Sequence, residues 1–274
     1  MSALLDDGLA LAAERILRTA DAGEKTALSR ATAEAWRVAR ADGQMPAIGH
    51  ATPPDFPGRP ERPVLRDPRD MPRRRPGSVT GRIALLHAIA HIELNAVDLH
   101  WDVIARFADQ DMPEGFFDDW VQAADDESKH FGLLSARLEA LGSHYGALDA
   151  HAGMWRAAQM TARNLPARLA VVPMVLEARG LDVTPGMIEI FREAGDSESV
   201  SALEIIYSEE VAHVAYGSKW FHFLCGRDNL DPKPRFHALV RKFFDGQLRP
   251  PFNEEKRAEA GLPPDFYWPL TAAS

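Results

Sequence analysis

From residue 79 to residue 225 the chain carries long stretches of helical hydrophobic spacing and no strand-like alternation of useful length. That pattern restricts it to an all-α architecture. Helical spacing runs over about 81–107, then breaks at Asp109-Gln110-Asp111-Met112-Pro113. It resumes over about 114–141, ending near Gly142, and again over about 153–179, followed by Gly180. A short helix over about 185–194 precedes Gly195, and a last long one over about 198–224 precedes Gly226. Prolines just inside helix starts and glycines just past their ends are where capping chemistry favours them. The expectation for 79–226 is a four-helix bundle.

The flanks read differently. Residues 3–42 hold two apolar stripes at helical spacing with Gly23 between them, which predicts a helical hairpin within residues 1–50. Residues 51–76 hold eight of the 20 prolines, at 53, 54, 57, 60, 63, 68, 72 and 76. So many fixed φ angles and missing donors exclude a helix or a central strand, leaving a proline-rich strap over 51–78. Arg73, Arg74 and Arg75 form a short basic run in it. Residues 232–246 predict one more helix. The tail carries Phe252, Phe266, Tyr267 and Trp268, which favours packing, so 227–274 reads as a C-terminal helix plus packed tail.

Composition removes several function classes. The single cysteine, Cys225, excludes a disulfide framework and a thiolate metal cluster built by one chain. A net charge of −9 argues against nucleic acid as a partner. The N-terminus lacks a basic region followed by a long apolar stretch, and the longest apolar run, 169–176, is too short to span a bilayer. A cytoplasmic protein without membrane contact, monomeric or homodimeric, is the expectation.

The acidic excess matters for another reason. Two histidines follow a glutamate by three residues, in Glu127-Ser128-Lys129-His130 and Glu210-Val211-Ala212-His213. Roughly one such pair is expected by chance from this composition. Their placement raises the signal, because both fall inside long predicted helices, where residues three apart share a face. Each pair also follows a lone glutamate in the preceding long helix, Glu93 and Glu177. The chain thus reads as two copies of one unit, an inward glutamate and then Glu-x-x-His. This is the ligand set of carboxylate-bridged di-iron and di-manganese four-helix bundles. Four carboxylates balance two divalent cations, and oxygen-plus-nitrogen ligation suits iron, manganese or a mixed pair.

The helical faces agree. Glu93 shares its face with Leu86, Ala90, Val97 and Ile104, and Glu127 with Trp120, Ala123, Phe131 and Leu134. Glu177 lies with Ala170, Pro173, Met174 and Leu181, and Glu210 with Leu203, Tyr207, Val214 and Gly217. Four acids on apolar stripes would cost heavily if left unpaired in a core. His100, two turns beyond Glu93, and Tyr207, one turn before Glu210, are candidates to back up the ligands. His91 lies about 200° around the helix from Glu93 and should point away from the site. Asp126 and Glu209 are i, i+4 alternatives to Glu127 and Glu210. In the second copy Gly180 follows Glu177 closely and a short helix intervenes, which leaves the depth of Glu177 open.

These residues resemble the ferritin-like di-metal carboxylate superfamily. His91-Ile92-Glu93, the stretch from Leu176 to Pro185, Glu209-Glu210-Val211-Ala212-His213 and Pro250-Pro251-Phe252-Asn253 are similar, more specifically, to an uncharacterised bacterial ferritin-like family, a domain of unknown function. A distant resemblance is to the tRNA-modifying di-iron hydroxylases. The resemblance implies a dinuclear site ligated by Glu93, Glu127, His130, Glu177, Glu210 and His213. The expected activity is that of an O2-dependent oxidase or oxygenase on an unknown organic substrate, small or tRNA-like. No Gly-x-Gly-x-x-Gly fingerprint is present, so electrons would come from an external donor. The alternatives are a ferroxidase or iron-handling protein, and a non-enzymatic scaffold that metal holds together.

Overall fold

The computed structural model describes residues 3–67, 77–151 and 153–271. The run Arg73–Arg75 lies outside them. The described chain is mostly helical, with two-residue strands only, β1 (Leu65–Arg66) pairing in parallel with β2 (Ala150–His151). It divides into two compact units, Met1–Trp155 and Arg156–Ser274. No helix among the described residues is long and apolar enough to cross a membrane.

In the first unit, α1 (Leu9–Arg18) and α2 (Ala22–Ala41) precede α3 (Val79–Arg106) and α4 (Glu114–Ala140). The break between α1 and α2 falls at Asp21, not at Gly23. The Asp21 carboxylate accepts from the Glu24 amide at 2.9 Å and so caps α2, while Gly23 is tolerated in the first helical turn. Ser78 caps α3 through the Gly81 amide at 3.1 Å. Helix α3 packs on α4 and α1, and α2 packs on α4. A buried polar junction ties three of these helices: Trp101 donates to Ser29 Oγ at 2.7 Å, and Ser128 donates to the same oxygen at 2.8 Å. The strap touches the unit closely at Gly58. A Cβ there would lie 2.4 Å from the Arg18 carbonyl oxygen, so only glycine fits.

The second unit departs from the expected helices. In place of one helix over 153–179 the chain forms α5 (Gly153–Met160), α6 (Leu165–Val171) and a wider π-helical turn, Val172–Glu177. Asn164 accepts from the Ala167 amide at 2.9 Å and restarts the helix. Pro173 has no N–H to offer the carbonyl one turn back, and the turn widens there. The expected stop at Gly180 and restart at Pro185 do not occur. Helix α7 (Ala178–Glu193) runs through both residues, packed on α8 (Ser197–Arg227). Helix α9 (Pro232–Phe243) packs on α6. The tail adds α10 (Glu254–Glu259) and α11 (Pro264–Tyr267). A buried ion pair pins it: Arg257 donates to both oxygens of Asp182 at 2.6 and 2.8 Å, under the rings of Phe252 and Tyr267.

Candidate metal centre

All six residues of the doubled pattern are buried. Glu127, His130 and His213 are fully enclosed, and Glu93, Glu177 and Glu210 are 3%, 5% and 8% exposed. Each unit contributes half of the set.

In the first unit, α3 supplies Glu93, and α4 supplies Glu127 and His130. His130 Nδ1 lies 3.1 Å from Glu93 Oε2 and 3.4 Å from Glu127 Oε2. Donor atoms of the three residues fall within 4.8 Å of one another. The electrostatics are those of acids forced together. Burial, then the neighbouring Glu127 charge, pushes the Glu93 carboxyl up to about 8, against a smaller pull downward from His130. Either a shared proton or a cation relieves that repulsion. Two carboxylates and one imidazole are an oxygen-plus-nitrogen set suited to iron or manganese, so the residues fit such an ion.

His100 is closer to this chemistry than its spacing suggests. Counted along α3 it stands two turns from Glu93. Its Nε2 nevertheless lies 3.6 Å from Glu127 Oε1, with the ring stacked on Trp120 at 5.4 Å. Glu127 therefore turns one oxygen toward each of two histidines. Spacing within one helix carries no trace of this, because the contact crosses from α3 to α4. Asp126, the i, i+4 alternative to Glu127, pairs with Lys129 at 3.2 Å.

In the second unit, Glu210 and His213 share one face of α8, with Oε2 and Nδ1 3.9 Å apart. Glu177 is the last residue of the π turn. That turn packs on α8 one helical turn beyond His213. A Cβ on Gly217 would lie 2.4 Å from Pro173 Cγ, so the glycine admits the proline. A π turn holds one residue more than an α turn. It rotates the residues after it by about 100° relative to regular spacing. The burial of Glu177 thus depends on a feature that 3.6-residue counting cannot see. Such turns occur often at functional sites. Tyr207, expected to back up the ligands, instead accepts a 2.7 Å hydrogen bond from Asn253 of the tail.

His91 points away from Glu93, as its angle on the helix requires. Its Nδ1 lies 2.9 Å from the Tyr145 hydroxyl and its Nε2 3.0 Å from the His151 carbonyl. Burial pushes its pKa down to about 4, so it is neutral.

A family model described as "Protein of unknown function (DUF455)" matches residues 18–268. An uncharacterized protein of Haemophilus influenzae is 41% identical over 208 residues, covering 74% of this chain and 72% of that protein. No solved structure matches.

Proposed function

The chain belongs to the DUF455 family, and we propose that it is a dinuclear metal-carboxylate protein of the ferritin-like kind, an O2-dependent oxidase or oxygenase. The observation that carries the reading is the doubled Glu…Glu-x-x-His pattern with all six side chains buried. An acid of this kind is seldom enclosed without a proton or a cation. Four of them, each copy joined to a buried imidazole, are economically explained by two ions. On this reading α3, α4, the helix containing the π turn and α8 make a ferritin-like four-helix bundle. Glu93, Glu127 and His130 then serve with Glu177, Glu210 and His213 on one pair of ions.

Bound iron would supply the O2 reactivity that side chains lack, with electrons from an external donor. The chain's own residues do the rest. Glu93 gives up its proton at the carboxyl when a cation arrives, so binding is tighter as pH rises toward 8. Glu127 offers oxygens in two directions, one toward His130 and one toward His100. The apolar residues around them keep water from competing for the carboxylates.

The test is anaerobic reconstitution with Fe(II), followed by metal analysis and exposure to O2. The expected result is two irons per chain and a visible absorption change on oxygenation. Two irons without any reaction with O2 would favour the scaffold alternative. Absence of binding would overturn the reading altogether.

A further inference from the structure

The face of α3 turned away from Glu93 borders a second polar site within the first unit. Its wall is built from Lys25 of α2, Asn95 and Asp98 of α3, Arg59 of the strap and Tyr145 of the loop after α4. The enclosed part is about 20 Å³, room for one water-sized group, within a total empty space of about 320 Å³ that includes the mouth. Pro60, Pro63, Leu65 and Leu94 give an apolar side to it.

The polar groups are held in fixed orientations. Lys25, 1% exposed, donates to Asp98 Oδ1 at 2.5 Å and to the Gly58 carbonyl at 2.8 Å. An ammonium has three N–H groups, so one remains without an acceptor among the described residues. Asn95 is oriented at both ends. Its Nδ2 donates to the His91 carbonyl at 2.6 Å, and its Oδ1 accepts from Arg59 Nη2 at 2.9 Å. That bond uses one of the five guanidinium donors and steadies the plane of the rest. The charges do not cancel. Lys25 and Asp98 offset each other, and Arg59 is left as one uncompensated cation.

We propose that this pocket binds a small organic monocarboxylate, its carboxylate between Arg59 and Lys25 and its short aliphatic part against Pro60, Pro63 and Leu94. A guanidinium edge matches a carboxylate bidentately. The enclosed volume admits one carboxylate oxygen but not a whole organic molecule, so the rest of the carboxylate and its chain must occupy the mouth. The Asp98 carboxylate in the wall penalises a phosphate dianion, whereas one net positive charge suits a monoanion. The strap is thereby assigned a role, since it contributes both the cation and the apolar lip.

The experiment is titration of the full-length protein with acetate, butyrate, chloride and inorganic phosphate at matched ionic strength, followed by calorimetry and ligand-observed NMR. The expected result is saturable binding of acetate, tighter binding of butyrate, and no saturable binding of chloride or phosphate. Arg59→Gln should weaken butyrate at least about tenfold, and Arg59→Lys, which keeps the charge but loses the fork, should fall between. Arg59 is only half-buried, so both variants should fold, which circular dichroism checks. Should Arg59→Gln not fold, Leu94→Asn provides the second variant and should erase the advantage of butyrate over acetate. Binding of butyrate unchanged in the folded variants, no saturable carboxylate binding, or phosphate binding tighter than butyrate would each overturn the proposal. Glu127→Gln should leave butyrate binding intact, so the outcome is independent of the metal reading.

Discussion

The two half-sets of proposed ligands have the same sequence pattern but sit on different backbones. Glu93, Glu127 and His130 project from two long regular α-helices, and their donor atoms converge within one unit. Glu210 and His213 also lie on a regular helix, but Glu177 closes a π turn whose place on α8 depends on Pro173 meeting Gly217. A repeated motif can thus keep its chemistry while its scaffold changes. In the first half regular geometry supplies the spacing, and in the second a local distortion does.

The sharpest way to break the comparison is at the anchor of the second unit. Arg257→Met would take from the buried Asp182 its two-pronged partner, leaving only the Arg179 guanidinium at 3.4 Å as a cation, and should cost about 3 kcal/mol in chemical denaturation. If the second half-set depends on its scaffold, Glu177 should lose protection in hydrogen exchange while Glu93 keeps it. The next effect is at the π turn. Gly217→Ala places a methyl against Pro173 and should cost about 1–3 kcal/mol. The matching change in the first unit, Gly132→Ala on an exposed face of α4 with nothing nearby, should instead stabilise by about 0.5–1 kcal/mol. Equal penalties at the two glycines would erase the distinction.

The smallest effect is in pH dependence. The folded carboxyl of Glu93 is raised to about 8, above its ordinary 4.5. Between those values the native state holds a proton that the unfolded chain has released. Stability of the metal-free protein from this group is therefore greatest below about 4.5 and is lost as pH rises toward 8, by at most about 1.4 kcal/mol per pH unit. Thermal midpoints across that range should decline, and Glu93→Gln should flatten the decline. Metal affinity should run the opposite way, increasing with pH as the proton becomes easier to displace.

Legibility in the sequence follows the same divide. The pairs Glu127/His130 and Glu210/His213 were readable because α4 and α8 are regular and i, i+3 partners share a face. The α2 start was also readable in principle. Asp21, followed three residues later by Glu24, is a capping signature stronger than the helix-breaking tendency of Gly23. The π turn was not readable, since it depends on Pro173 packing against a glycine 44 positions later in the chain. The unbroken course of α7 through Gly180 and Pro185 shows packing against α8 overriding local propensity. His100 was legible as a candidate on the Glu93 face, but not its approach to Glu127, because that partner lies on the neighbouring helix.

The central claim is that two ions are held by six buried side chains, and metal stoichiometry tests it most directly. Iron and manganese content of the reconstituted protein should be two per chain. It should drop to one or none in both Glu127→Gln and Glu210→Gln, with helix content retained. Stoichiometric metal that persists unchanged in both variants, or no metal in the unmodified chain, would contradict the account.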